Sequence, residues 1–109
     1  MDVLLDTSFI MDCLREKFDF TLAGEYGTLL LASEVVLELE KLAQGKRLDS
    51  DLAKLALKII ESNKSKFKLI DLGYSRADAG IIAYARAKNT LVATMDRELK
   101  KQVRKVLVL

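Results

Sequence analysis

The sequence predicts an α/β fold in which helices cover a mostly parallel five-stranded sheet. Short apolar runs of strand length alternate with helical periodicities along the whole chain, which is the pattern of a parallel sheet packed against helices. A chain of 109 residues can bury one modest core. Half of the residues are hydrophobic and 31% are charged, as in compact domains with charged surfaces. We therefore expect one domain over residues 1–109.

Five apolar runs define the predicted strands. They lie near residues 2–6, 28–32, 67–71, 91–94 and 105–109. Each run is four to five residues long and is followed or preceded by a segment of helical periodicity, so the strands are expected to pair in parallel.

The first half of the chain predicts two helices and one ambiguous segment. A helix is expected over residues 8–16, whereas residues 17–27 carry two glycines and fit either a loop or a short helix. Ser33 is suited to cap a helix over residues 34–44, and Gly45 is suited to end it.

The second half predicts three further helices. The first of them has one apolar stripe, formed by Leu48, Leu52, Leu55, Ala56 and Ile59. The next begins at Ser75 or Arg76 and runs through Lys88. The last begins at Asp96 and runs to about Arg104.

Composition excludes several kinds of catalytic site. The chain has no histidine and one cysteine, Cys13, which removes nucleophile systems activated by histidine, ribonucleases with paired histidines, and the usual zinc sites. The lone cysteine suits a reducing compartment. Because the sequence opens without a signal-peptide pattern and has no apolar run of about 20 residues, we expect a cytoplasmic protein that does not enter membranes.

Two acids follow predicted strands that lie far apart in the chain. Asp6 comes directly after the apolar run 3–5, and Asp96 follows the run 91–95. The carboxyl ends of parallel strands meet at one edge of the sheet, where such folds bind their ligands. The two acids are thus candidates for a shared site, although each is also placed to be an N-cap of the next helix.

A third acid lies beside the buried stripe of its helix. Val35, Leu39 and Leu42 form the predicted stripe, and Glu38 falls on its margin at about 100° per residue. Glu38 is therefore either a site residue or a boundary glutamate whose stem packs while its carboxylate reaches water.

Asp78 is the fourth candidate. Ile81, Ile82 and Ala85 follow it by three, four and seven residues, which places Asp78 on the core-facing side of its helix. An unpaired carboxylate in such a position is costly, and several close together repel one another. A divalent cation relieves both problems, and oxygen ligands suit Mg²⁺ or Mn²⁺. Such an ion activates water and neutralises charge on a phosphodiester.

Four segments together resemble the signature blocks of PIN domains, in the same order. They are LLDTSF (4–9), VLELEKL (36–42), ADAGIIA (77–83) and VATMDREL (92–99). The resemblance implies a three-layer α/β/α sandwich and an Mg²⁺- or Mn²⁺-dependent endoribonuclease, either a toxin of the VapBC type or an RNA-processing nuclease. It also implies products with 5′-phosphate and 3′-hydroxyl ends and, for a toxin, an antitoxin partner.

The resemblance assigns roles to individual residues. The implied catalytic and metal-binding acids are Asp6, Glu38, Asp78 and Asp96, and the residues that orient them by hydrogen bonds are Thr7, Ser8 and Thr94. The first block departs from the common Asp-Thr-Asn pattern, since its third position is Ser8. This change leaves the efficiency of catalysis open.

A group of basic residues lies on or just after the last predicted helix. Its members are Arg97, Lys100, Lys101, Arg104 and Lys105. The first four are predicted to bind the RNA backbone, with a solvated helix face as the alternative. Among the remaining acids, we expect Glu34 and Glu40 to be solvated, and Asp12 and Glu98 to contribute to the outer part of the acidic pocket.

Two other functions compete with a metal-dependent nuclease. One is a weakly catalytic or non-catalytic PIN module that binds RNA or a protein partner. The other is a phosphoryl-transfer or receiver-type domain, but position 8, where haloacid-type phosphatases need a second acid, is serine. A homodimer is a further expectation, with Leu14, Phe18 and Tyr84 as contact candidates.

Overall fold

A computed structural model describes residues 1–46 and 48–108 and contains one parallel sheet of five strands. The strands are β1 (Asp2–Leu5), β2 (Thr28–Ala32), β3 (Phe67–Ile70), β4 (Thr90–Ala93) and β5 (Lys105–Leu107). Their order across the sheet is β3-β2-β1-β4-β5. The predicted α/β fold with a parallel five-stranded sheet is confirmed.

Five α-helices and two 3₁₀ segments connect the strands. The helices are α1 (Thr7–Arg15), α2 (Ser33–Ala43), α3 (Leu48–Ser62), α4 (Ala77–Ala87) and α5 (Arg97–Gln102), and the 3₁₀ segments are Phe20–Tyr26 and Lys64–Lys66. Helices α1, α2 and α3 contact one another, and α4 contacts both α5 and α2. Given the strand order, right-handed crossovers put α1, α2 and α3 on one face of the sheet and α4 and α5 on the other. Among the described residues, no helix combines the length and the apolar character needed to cross a membrane.

The core is built on the three central strands. Residues 3–5 of β1, 29–32 of β2 and 92–93 of β4 are at most 2% exposed, because helices cover both faces of a parallel sheet. The edge strand β3 is more open, and its Leu69 is 71% exposed. Chain order reverses at β1, since β2 lies on one side of it and β4 on the other. A ligand site is therefore expected at the carboxyl ends of β1 and β4.

The apolar stripe predicted for α3 is partly wrong. Leu48 is 81% exposed and Leu55 is 45% exposed, whereas Ser50, Ala53 and Ala56 are buried. Helix α3 packs against α1 and α2, and small side chains allow helices to approach closely. The buried face is thus turned away from the two leucines.

Ser33 does not cap α2 as predicted. The helix begins at Ser33 itself, and Ala32 occupies the N-cap position without a side-chain hydrogen bond. The Ser33 hydroxyl instead donates to the carboxylates of Glu34 and Asp71, at 3.2 and 3.4 Å. Its place between two acids ties the start of α2 to the end of β3.

The loop between β3 and α4, residues 71–76, is fixed from two sides. On one side the Glu34 carboxylate accepts hydrogen bonds from the backbone amides of Leu72, Gly73 and Tyr74, at 3.1, 2.8 and 3.2 Å. On the other side lies Gly80 of α4, where an added Cβ would be only 2.8 Å from the Leu72 Cβ. The expectation that Glu34 is simply solvated is therefore wrong.

This arrangement keeps Glu34 ionised. Desolvation is the largest single influence and acts to raise the pKa of Glu34. Hydrogen bonds from backbone amides, including those of Leu72 and Tyr74, and from the Ser33 hydroxyl outweigh it and lower that pKa to about 2. The lowered pKa means that the folded state favours the carboxylate, so Glu34 stabilises the fold when it is charged.

We predict that Glu34→Gln lowers the free energy of unfolding by about 1 kcal/mol at neutral pH, because charge-assisted hydrogen bonds become neutral ones. The contribution of Glu34 is present above its unfolded pKa of 4.5 and is lost as the pH falls towards about 2. Urea denaturation at several pH values between 7 and 2 measures the free energy of unfolding with and without the substitution. Glu40→Gln on the same helix is the control, and equal effects of the two substitutions at pH 7 would contradict a stabilising role for the hydrogen bonds between Glu34 and the 71–76 loop.

Candidate active site

A cavity of about 500 Å³ opens at the carboxyl edge of the sheet. The residues that line it are Asp6, Ser8, Glu34, Leu37, Glu38, Lys41, Tyr74, Ser75, Arg76, Ala77, Asp78 and Asp96. They come from the ends of β1, β3 and β4 and from the adjoining parts of α1, α2 and α4. The four acids singled out in the sequence thus face one cavity.

Asp6 forms the buried floor of this cavity. Its amide donates to the Ala93 carbonyl at 2.9 Å, which extends the pairing of β1 with β4 by one residue. Asp6 is only 7% exposed, and although it occupies the N-cap position of α1, its side chain makes no capping hydrogen bond. The N-cap alternative is therefore wrong for Asp6, and its carboxylate is directed to other partners.

Two hydroxyl groups hold the Asp6 carboxylate. Ser8 Oγ and Thr94 Oγ1 both donate to Oδ2 of Asp6, at 2.8 and 2.7 Å. These hydroxyls in turn accept from the backbone amides of Met95 and Asp96, at 2.9 and 3.1 Å. Oδ2 is thus fixed by a network that joins the ends of β1 and β4.

Ser8 makes its hydrogen bonds although the resembling family commonly has asparagine at this position. A serine hydroxyl is both donor and acceptor, and here it accepts from one backbone amide while it donates to Asp6. Thr7 differs from the expectation. It is 5% exposed, and its hydroxyl has no hydrogen-bond partner among the described residues, so Thr7 does not orient the acids through that group.

The electrostatic state of Asp6 follows from its burial. Desolvation raises the pKa of Asp6 above its ordinary value, and the charge of Asp96 adds to this effect. The hydrogen bonds from Thr94, Ser8 and the Thr7 backbone oppose the increase without cancelling it. An ionised Asp6 is therefore a group that a cation would stabilise.

Asp96 stands at the exposed rim and has a second role. Its Oδ1 accepts from the amides of Glu98 and Leu99, at 2.9 and 3.3 Å, so it caps α5. The N-cap alternative is correct for Asp96, and it does not remove the residue from the cavity that it lines. A carboxylate has capacity for further partners beyond one capped oxygen.

Asp78 is less buried than its periodicity suggested. Its side chain is 45% exposed, and Oδ2 accepts from the Arg76 guanidinium at 3.0 Å. Ala77, Gly80 and Ile81 are the residues of α4 that are buried. Asp78 lies in the first turn of α4, beside the cavity, where the helix face that packs on the sheet becomes open to solvent.

Glu38 is exposed, and it reaches the cavity from α2 together with Leu37 and Lys41. Leu42, which was expected to be buried with Val35 and Leu39, is 36% exposed. The buried face of α2 is narrower than predicted, and Glu38 lies outside it.

The cavity lining differs from the predicted set of residues: two basic residues are added, and two acids are absent. Lys41 and Arg76 bring positive charge to the cavity; both were missed, although Lys41 follows Glu38 by three residues on the same helix face. Asp12 and Glu98 are not among the residues that line it; Asp12 pairs with Arg15, and Glu98 pairs with Lys101. The expectation of an outer acidic shell from these two is wrong.

The four acids share a cavity but do not form a finished metal site. Among residues 1–46 and 48–108, no three acids converge closely enough to hold a metal ion. The donor set nevertheless fits a hard cation, since Mg²⁺ needs only one or two carboxylates and keeps several waters. Asp6 and Asp96 are close enough to interact electrostatically, and Glu38 and Asp78 face the same space.

The chain is similar in sequence to a protein named as a ribonuclease, although no family model matches it. Over 107 residues it is 30% identical to Ribonuclease VapC4 of Methanocaldococcus jannaschii, which covers 93% of this chain and 81% of the relative.

Solved structures share the fold. The PIN domain endonuclease Utp24 superposes with a TM-score of 0.80 at 26% identity, over 99% of this chain and 84% of the other. PAE2754 from Pyrobaculum aerophilum gives a TM-score of 0.66 at 20% identity, over 99% and 83%. VapBC2 from Rickettsia felis, bound to a DNA fragment, gives 0.61 at 15% identity, over 100% and 99%. With the relative's identity and coverage, these matches establish that the chain belongs to the PIN-domain family.

Proposed function

We propose that this protein is an endoribonuclease that hydrolyses RNA phosphodiester bonds with Mg²⁺ or Mn²⁺ at the acidic cavity. The observation that carries the proposal is the buried Asp6 carboxylate, which Ser8 and Thr94 fix in place beside Asp96. A relative named as a ribonuclease and a neighbour named as an endonuclease support the same activity.

Each of the four acids has a role in this proposal. Asp6 and Asp96 would hold the cation, with Glu38 and Asp78 facing it across the cavity. A cation held there would supply a water of lowered pKa and neutralise charge on the phosphate. Hydrolysis of the bond between phosphorus and the 3′ oxygen, in which water supplies the new P–O bond and the proton of the leaving alcohol, leaves a 5′-phosphate and a 3′-hydroxyl.

Positive groups complete the proposed substrate site. Arg76 is 77% exposed beside Asp78, and its guanidinium is suited to donate two hydrogen bonds to a phosphate. Arg97 begins α5 directly after Asp96, so it is the predicted basic residue nearest the acids along the chain. We assign Arg97 and Lys100 to RNA contacts at this end of α5, together with Lys41, which lines the cavity.

A second candidate function is a PIN module that binds RNA or a partner without efficient cleavage. The lack of three converging acids in the described part of the chain favours it. Apart from cleavage itself, a tight Mn²⁺ site that depends on Asp6 distinguishes the nuclease from the binding module.

Partners and location are further parts of our proposal. An antitoxin segment would cover the acidic cavity if the protein is a toxin, and growth arrest on induced expression tests that role. For a homodimer, Phe18 is 46% exposed, whereas Leu14 and Tyr84 pack against the core and are poorer contact candidates than expected.

We also propose a cytoplasmic location. Cys13 is a buried free thiol, and burial raises its pKa to about 11. A free thiol is typical of proteins in a reducing compartment.

Cleavage by acid variants tests the nuclease directly. We expect Asp6→Asn and Asp96→Asn each to lower Mn²⁺-dependent cleavage of single-stranded RNA on the order of a hundredfold or more, because each removes a metal ligand. Asp51→Asn on the exposed face of α3 is the matched control and keeps full activity. Unchanged cleavage by Asp6→Asn would refute the proposed site.

Thermal unfolding separates metal binding from activity. Mn²⁺ is expected to raise the Tm of the unchanged protein in proportion to the logarithm of its concentration, and Asp6→Asn abolishes that shift. In EDTA at pH 7, Asp6→Asn is expected to be at least as stable as the unchanged protein. The folded state raises the pKa of Asp6, so its ionisation above that pKa destabilises the fold. An unaltered Mn²⁺ shift in Asp6→Asn would place the cation elsewhere.

Ser8 is tested by comparing two serines of the same cavity. Ser8→Ala removes a hydrogen bond to Asp6 and is expected to weaken Mn²⁺ binding by about tenfold or more. Ser75→Ala removes a hydroxyl from the cavity lining and serves as the control. Isothermal titration calorimetry measures both affinities, and equal affinities would show that Ser8 does not position Asp6.

A further inference from the structure

A second charged region lies away from the acidic cavity. Residues 79–95 and 99–109 contain no acid. The basic side chains that they bring together at the ends of α4 and α5 are Arg86, Lys88, Lys101, Arg104 and Lys105, and we name them the distal basic surface. All five are exposed.

The distal basic surface lies at the opposite edge of the sheet from the acids. Lys88 follows the end of α4 and precedes β4, and Lys105 begins β5, so both lie at the amino ends of strands whereas Asp6 and Asp96 follow carboxyl ends. Helix α4 has 11 residues and therefore spans about 16 Å between the two regions. The surface is too far from Asp78 to be part of the acidic cavity.

Two of its cations are held by neutral partners. The Arg86 guanidinium donates to the backbone carbonyl and the side-chain carbonyl of Gln102, both at 3.3 Å. Lys88 Nζ lies 5.3 Å from the centre of the Tyr84 ring. These contacts order the side chains without neutralising them.

Most of the basic side chains on this surface are not paired with a carboxylate in the part of the chain that the structure describes. Within residues 1–46 and 48–108, Lys101 is the only member with an acidic partner, Glu98 at 3.5 Å. In the same part of the chain, Arg15 and Arg76 are each paired with carboxylates. The distal basic surface therefore retains its charge for an external anion.

The surface is also concave. Two hollows of about 440 and 430 Å³ share Arg86 and Arg104 in their walls. Lys101 lines the first hollow, and Lys88 and Lys105 line the second. Adjacent hollows with cations on a common wall fit a chain of regularly spaced phosphates better than one small anion.

We propose that the distal basic surface binds the phosphate backbone of an RNA strand whose cleaved bond lies in the acidic cavity. The proposal rests on the proposed nuclease function. Helices α4 and α5 both begin beside the acids and end at this surface, so a strand along them contacts both regions. The surface makes binding depend on RNA length, since only a strand longer than about 16 Å reaches both ends of α4.

Salt-dependent binding tests this surface without cleavage. A fluorescein-labelled single-stranded oligoribonucleotide is titrated with metal-free protein in EDTA at increasing KCl, and anisotropy gives Kd. Arg86→Gln with Arg104→Gln is compared with the charge-matched control Lys54→Gln with Lys58→Gln on the exposed face of α3. Loss of two phosphate contacts is expected to reduce the slope of log K against log salt by about 1.4. The affinity at 0.1 M salt then falls roughly tenfold to thirtyfold.

A second double variant separates loss of charge from local misfolding. Lys88→Gln with Lys105→Gln leaves the Arg86–Gln102 contact intact and is expected to reduce the slope similarly. Slopes equal to that of the control in both pairs would overturn the proposal. Unlabelled polyglutamate and unlabelled RNA of equal charge are compared as competitors of the labelled RNA. Equally effective competition by polyglutamate would also overturn the proposal, in favour of an acidic protein partner.

Cleavage assays distinguish failure of this surface from failure of the nuclease. The Lys88→Gln, Lys105→Gln variant is expected to cleave a dinucleotide at the unchanged rate and a long RNA with a raised KM. Equal loss on both substrates would contradict a distal role. Salt-sensitive binding without any cleavage by the unchanged protein would retain the surface and reject the proposed nuclease.

Discussion

The site depends on one buried carboxylate and the two hydroxyls that hold it. Ser8 and Thr94 lie 86 residues apart, yet both donate to the same oxygen of Asp6. This geometry exists only because β1 and β4 are neighbours in the sheet and end at the same level. A lone buried carboxylate is costly; here hydrogen bonds reduce that cost, and the raised pKa of Asp6 shows that part of it persists. A cation at this point would remove the remainder.

The topology separates charge along the molecule. The carboxyl edge of the sheet gathers Asp6, Glu38, Asp78 and Asp96 around one cavity, whereas the amino edges of β4 and β5 border the distal basic surface. Helices α4 and α5 connect the two edges. Because RNA carries its charge evenly along its length, a protein with this separation can attract the backbone at one end and place a cation against it at the other.

Much of the fold is evident in the sequence because a parallel sheet imposes a simple pattern. Residues 3–5 and 29–32 are buried on both faces and so form continuous apolar runs. The four acids were identifiable from their position after strands or beside apolar helix faces. Contacts between distant segments were not identifiable from the sequence. Glu34 binds backbone amides some 40 residues later in the chain, and Arg76 lines the cavity because of the path of the loop before α4. Leu48 and Leu55 of α3 are exposed because small residues took the buried face.

Asp6 is the centre of the proposed cation site, and diffraction from crystals grown with Mn²⁺ would locate the ion. Anomalous density is expected in the acidic cavity, with carboxylate oxygens of Asp6 and Asp96 roughly 2.1 Å from the ion and Glu38 or Asp78 bound directly or through water. An ion outside this cavity, or one that is bound without Asp6, would show that Asp6 is not the centre of a metal site.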